Sequence, residues 1–359
     1  MSFLTTAVNS LARRSRSPLL RILFYRPTPR RLHPTIQHLT FAIRHNTNTV
    51  SPPTWPPLAP NESLKYTLPD NRTLGFSTYG PESGYPILHF HGLPGSRIDA
   101  RRIAALDPGL HLRIIGIDRP GIGLSSPQPS RTLLDWPSDV RSLAHHLGLR
   151  AFKVLGESGG GPYALACAHA FSHGRLPGLR GTGVLYGLAP EGAGHDGMRP
   201  RQRFSFALLP YIPQPVLRLL LTPLARRAQN SDPTAFEAAL HQIFVRELSA
   251  EEKEMLLQPR AWREFVDAMR HALIQGADGY ARDTKIVMGG WGFDVRDIKG
   301  EGGMVRLWWG VEDDLAPVGM GRWMGERVEG AVLREWVGET HWTLWERRGG
   351  EILRDLADV

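Results

Sequence analysis

The sequence predicts an α/β fold: a mostly parallel β-sheet with helices on both faces, interrupted by a long helical insertion. Three observations predict it. Short apolar runs bounded by Gly, Pro or helical stretches recur from residue 64 to 188, as strands buried on both faces do. For about a hundred residues after Pro190 only helical spacing remains. Strand-like runs then resume near the C-terminus, so the insertion sits between two strands of one sheet.

The chain has 359 residues, 42% apolar and 22% charged, which suits a globular protein with a sizeable core. Its formal charge of +8 suggests a nucleic-acid partner until the charge is located. Residues 1–61 carry Arg13, Arg14, Arg16, Arg21, Arg26, Arg30, Arg31 and Arg44 and no acid, so the remainder balances at 35 basic and 35 acidic residues. A nucleic-acid function loses its main support. Cys167 is the single cysteine, which excludes an intrachain disulfide and a cysteine-based zinc site. No run reaches the roughly 18 apolar residues of a membrane span.

Residues 1–50, rich in Arg, Ser and Thr, have the composition of a mitochondrial transit segment; a disordered tail on a cytoplasmic protein is the alternative. Leu4, Val8 and Leu11 would share one helical face, and Pro18 would end that helix. Residues 51–61 read as a stiff proline-rich linker.

The first part of the core is expected over residues 62–190. Leu64 to Leu68 and Thr73 to Tyr79 flank a Pro69-Asp70-Asn71-Arg72 turn and predict a hairpin. Ile87 to Phe90, Leu112 to Ile117, Phe152 to Leu155 and Val184 to Leu188 predict buried parallel strands. The insertion spans residues 191–295. Asp232-Pro233 starts a helix carrying Phe236, Ala239, Leu240, Ile243 and Phe244, and Ser249 to Glu252 is a capping box opening the next. The core resumes over residues 296–359, with strands at Met304 to Trp309 and Val332 to Val337. The insertion is well placed to cap a site.

Chemistry concentrates at strand ends. Gly156-Glu157-Ser158-Gly159-Gly160 follows one strand and precedes a helix, the context in which G-x-S-x-G presents a nucleophilic serine on a strained turn. A serine hydroxyl needs a base and an orienting acid, in chain order serine, acid, histidine. His341 follows the last strand. Glu312, Asp313 and Asp314 end an earlier one, with Glu191 a remoter candidate acid. His91 to Ser96 leaves another strand end and can aim backbone N–H groups at the site, joining the N–H of Gly159 in an oxyanion hole. His91 itself reads as a loop-holding residue. Phe204, Phe206, Leu208, Leu209, Tyr211 and Trp291 are candidates for an apolar pocket, and Trp308, Trp309 and Trp342 flank the candidate catalytic loops.

His91-Gly92-Leu93-Pro94-Gly95, the run from Asp118 to Ser125, the turn at Ser158, the Gly310, Asp313, Pro317 spacing and His341 occur in an order that resembles the α/β-hydrolase superfamily. The resemblance runs from about Leu64 to the C-terminus. It implies Asp313 as the acid, Leu93 as the second oxyanion donor, and an eight-stranded core with a helical cap after the sixth strand. Ser158 argues against the epoxide hydrolases and haloalkane dehalogenases of this fold, which use aspartate. Proline iminopeptidases are similar around His91 to Gly95 but usually carry a further glycine where Leu93 stands. The expected activity is that of a serine hydrolase cleaving a small carboxylester or thioester through an acyl-enzyme, with no metal or cofactor. A proline-iminopeptidase-like peptidase, an acyltransferase and a non-catalytic ligand-binding protein are the alternatives. The expected partner is a small-molecule acyl substrate, and the sequence does not determine the oligomeric state.

Overall fold

The computed structural model describes residues 54–106, 109–299 and 304–358, so the segment expected to act in targeting lies outside the described residues. Strands β1 (Leu64–Thr67) and β2 (Thr73–Tyr79) form the expected antiparallel hairpin. Asn71 takes φ 64° in its turn, a left-handed conformation that asparagine tolerates.

β2 pairs antiparallel with β4 (Leu112–Ile117). From there the sheet is parallel through β3 (Tyr85–Phe90), β5 (Phe152–Glu157), β6 (Leu179–Leu185), β7 (Val305–Gly310) and β8 (Val332–Trp336). The strand order is β1-β2-β4-β3-β5-β6-β7-β8. Parallel neighbours require crossovers, supplied by α1 (Ala100–Ala105), α2 (Trp136–His146), α3 (Gly161–Ser172) and, later, α10 (Val318–Gly325); α11 (Thr343–Ala357) closes the chain. Ile87, Leu88, Phe90, Ile115, Val154 and Leu155 are fully buried between these layers.

One strand differs from expectation. The run Val184 to Leu188 is only the tail of β6, which starts at Leu179 and ends before Tyr186, where φ is 36°. Arg180, Gly181 and Gly183 interrupt the apolar pattern of its first half. Gly183 is required there, because a Cβ would meet the Trp308 ring at 2.6 Å.

Between β6 and β7 lie α4 (Pro200–Leu208), α5 (Gln214–Ala228), α6 (Thr234–Leu240), α7 (Ala250–Leu256), α8 (Pro259–Leu273) and α9 (Asp278–Val287). Asp232 accepts from the Thr234 N–H at 2.9 Å, and α6 begins there. Ile243 and Phe244 lie in a π-helical turn that follows α6. The capping box forms: Glu252 N–H donates to Ser249 Oγ at 3.2 Å and Ser249 N–H to Glu252 Oε2 at 2.8 Å. The insertion has its own small core around Phe236, Leu240, Val266 and Leu273.

The proline-rich segment is tied to that core rather than being only a spacer. Trp55 packs edge-on against Phe236, donates to the Asn230 carbonyl at 2.6 Å, and lies under the Arg270 guanidinium at 4.4 Å. Among the described residues, no helix is long and apolar enough to cross a membrane.

Candidate active site

Ser158 lies at the carboxyl end of β5, at the start of a 3₁₀ turn that leads into α3. Its φ of 49° is the left-handed conformation expected of a sharp strand-to-helix turn and costs about 1–3 kcal/mol. The turn tolerates no bulk. A Cβ on Gly156 would overlap the Gly160 carbonyl, and one on Gly159 would overlap the Leu93 side chain.

His341 and Asp313 meet directly. His341 Nδ1 lies 2.7 Å from Asp313 Oδ2, and Asp313 Oδ1 accepts from the Leu315 and Ala316 N–H groups at 2.8 Å each. Both carboxylate oxygens are therefore committed, which sets the imidazole's orientation. The neighbouring acids have other partners: Glu312 Oε2 accepts from the Gly338 N–H, and Asp314 pairs with Arg199. Glu191 accepts from the Tyr211 hydroxyl at 3.3 Å, on the insertion side.

Ser158 and His341 flank the same short segment, residues 186–188. The Leu188 N–H donates to the Ser158 carbonyl at 3.0 Å, and the Tyr186 ring packs 4.2 Å from the His341 ring. Tyr186 was hidden from sequence reasoning because it sat inside an expected strand.

The loop after β3 runs beside the serine. A Cβ on Gly92 would lie 3.7 Å from Ser158 Cβ, and one on Gly159 would lie 3.1 Å from the Leu93 nitrogen. Among the described residues the Leu93 N–H donates no hydrogen bond. His91 is a loop-holding residue: the Arg119 N–H donates to its Nε2 at 3.4 Å, leaving Nδ1–H to donate to the Gly92 carbonyl at 2.9 Å. Burial, then the Arg119 charge, holds its pKa well below the usual histidine value, so the ring is neutral.

Behind the loop is a brace that no local motif revealed. Arg119 donates to the His91 carbonyl at 2.5 Å and the Gly92 carbonyl at 2.8 Å, and its guanidinium pairs with Asp283 of α9 at 2.7 Å. Asp283 also receives Arg131 at 2.8 Å and the Tyr163 hydroxyl at 2.6 Å. The last helix of the insertion thereby fixes the loop that carries Leu93. Burial pushes the Asp283 carboxyl up, but Arg119 and Arg131 outweigh it and hold it well below the usual aspartate range.

Asp283→Ala should therefore lower unfolding stability by about 3–5 kcal/mol in urea titration, because it strands two buried guanidinium groups. The pH dependence has a definite sign. A depressed folded pKa gives a contribution that is complete above the unfolded value of about 3.9 and is lost as pH falls through the folded value. The wild-type advantage over the variant should thus persist at neutral pH and shrink only in strong acid. An equal acid dependence of the two proteins would contradict this.

Glu157, the residue before the serine, is also buried. Its Oε2 receives Arg102 at 2.8 Å with His89 at 3.4 Å. Burial raises this carboxyl, but Arg102, His89 and His341 together bring it down to about 2, so it is ionised at neutral pH.

A small cavity that starts at Leu188 is lined by apolar Ala189, Phe206, Met288 and Met320 and by polar Glu191 and His195, and Ser158 and His341 are not on its wall. Of the residues expected to line a pocket, only Phe206 does. Phe204, Leu208 and Tyr211 are exposed, Trp291 is in the main core, and Leu209 is half-buried in a 3₁₀ turn. Trp308 and Trp309 are likewise core residues, whereas Trp342 packs edge-on against Phe265 of the insertion. A second tie joins the insertion to the His341 loop: the Thr340 hydroxyl donates to Glu252 Oε1 at 2.7 Å. Cys167 is buried in α3, and the described residues hold no cluster of three or more metal-ligating side chains.

A family model described as alpha/beta hydrolase fold matches residues 85–177, the stretch from β3 through α3. Over the larger fold, an esterase from Rhodococcus sp. ECU1013 superposes with a TM-score of 0.54 at 18% identity, covering 83% of this chain and 98% of that one. The chain has the α/β-hydrolase fold. Among curated relatives, a proline iminopeptidase from Xanthomonas citri is 27% identical over 58% of this chain. One from Arabidopsis thaliana is 31% identical over 31% of this chain. The matches span 62% and 30% of those two proteins' own lengths.

Proposed function

We propose that this α/β-hydrolase-fold protein is a serine hydrolase that cleaves a small carboxylester or thioester through an acyl-enzyme. His341 Nε2 takes the Ser158 proton as the hydroxyl oxygen bonds to the acyl carbon. The Leu93 and Gly159 N–H groups receive the negative charge that forms on the carbonyl oxygen. Collapse expels the alcohol or thiol, which takes its proton from His341. Water then attacks the acyl-enzyme by the same route, giving the acid and restoring Ser158. Asp313 keeps Nδ1 protonated and stabilises the imidazolium.

The observation that carries this reading is the Asp313–His341 hydrogen bond of 2.7 Å, at the carboxyl ends of the strands, where Ser158 also lies. A fluorophosphonate probe tests it. We expect one label per chain, recovered on the peptide containing Ser158. An enzyme that hydrolyses esters but carries the label elsewhere, or carries none, sinks the assignment.

The curated relatives favour a second reading, an aminopeptidase acting at N-terminal proline on the same serine. Leu188, Phe206, Met288 and Met320 are the apolar part of the cavity wall and suit a hydrocarbon acyl group, while Glu191, the carboxylate on that wall that could hold a charged amino terminus, already accepts from the Tyr211 hydroxyl. Turnover of p-nitrophenyl butyrate should therefore exceed that of proline p-nitroanilide. The reverse order would move the protein to the peptidase reading.

A further inference from the structure

The outer side of α4 and α5 is apolar where water meets it. Phe204, Leu208 and Tyr211 recur at helical spacing along α4 and the turn after it, and they are 61%, 44% and 71% exposed. Val216 and Leu219 repeat the pattern on α5, Leu219 at 69% exposed. The opposite sides are already occupied. Leu217, Leu224, Ala225 and Ala228 of α5 are buried, and Phe206 of α4 packs against the main core and lines the cavity that starts at Leu188. These helices are therefore apolar on two faces, and packing within the chain accounts for only one.

The charge of this arm points to its occupant. Residues 199–227 contain six arginines and no Lys, Asp or Glu. Arg201, Arg203 and Arg218 do meet Glu247, Asp196 and Asp278, but as exposed pairs that water screens and another anion can displace. Arg226 and Arg227 have no ion pair among the described residues. The arginine-rich, acid-free residues 1–61 would be repelled by this arm, and a two-fold contact with a second copy would set the same arginines against each other.

We infer that the α4–α5 face docks on an anionic lipid bilayer, with Phe204, Tyr211 and Leu219 in the headgroup boundary and the arginines against lipid phosphates. This deepens the acyl-hydrolase reading, on which its substrate half rests. An ester-bearing amphiphile leaving the bilayer would meet α4 first, and α4 is also a wall of the cavity.

Cosedimentation of the full chain with phosphatidylcholine vesicles, with and without phosphatidylglycerol, tests the docking half without any chemistry. Partitioning should be stronger with phosphatidylglycerol and weaker at high salt. It should fall about tenfold or more in Phe204→Ser/Leu219→Ser, whose exposed positions leave the thermal midpoint unchanged. Arg226→Gln/Arg227→Gln should lose part of the preference for anionic vesicles. Ser158→Ala should bind as the wild type does, so a failure of the chemistry and a failure of docking are read separately. Absence of vesicle binding, or binding untouched by the apolar pair, overturns the inference. So does a dimer in light scattering that the apolar pair dissociates.

Discussion

Ser158→Ala is expected to lower kcat for a p-nitrophenyl ester by about a million-fold, the loss seen where a triad serine has been removed. The reason lies in the local geometry. The hydroxyl is the only group that the turn at φ 49° presents, since the glycines around it have no side chains and Glu157 is buried against Arg102. Alanine keeps the turn, so the Leu93 and Gly159 N–H groups stay in place and rate should remain above the uncatalysed level. KM should change little, because the methyl group leaves the cavity wall intact. Adding His341→Ala to the same chain should cost almost nothing more, since the two groups act as one unit. A double variant much slower than either single one would mean that His341 works independently of Ser158.

The parts of this site that lay in contiguous sequence were the legible ones. The strand, the glycine-flanked serine and the following helix form one uninterrupted stretch, so Ser158 could be placed from local rules alone. The same holds for the β1–β2 hairpin and the Ser249 capping box, whose partners lie a few residues apart. Contacts between distant residues left no such trace. Arg119 and Asp283 are 164 residues apart, and nothing around Asp283 sets it off from other acids on a helix. The Thr340–Glu252 bond spans 88 residues and was equally hidden. The α4–α5 arm failed for another reason: both of its faces are apolar, so helical spacing could not tell which residues turn inward, and Phe206 does while Phe204 does not.

Among Glu312, Asp313 and Asp314, spacing within the family selected the middle residue, and the hydrogen bonds explain why the choice should matter to rate. Asp313→Asn should reduce kcat about ten-thousand-fold with little loss of stability. The amide oxygen can keep the Leu315 and Ala316 N–H bonds, which leaves its NH2 group facing His341 Nδ1. A donor there forces Nδ1 to become an acceptor, so the proton moves to Nε2, the atom that must take one from Ser158. Asp314→Asn breaks only the partly exposed pair with Arg199, worth at most about 1 kcal/mol, so kcat/KM should change by less than about fivefold. Steady-state kinetics on the two variants, each checked by thermal melting, separates the roles. If Asp314→Asn proved the crippled enzyme and Asp313→Asn the active one, the carboxylate that orients the base would have been misidentified, and the His341 loop would have to adopt another conformation during turnover.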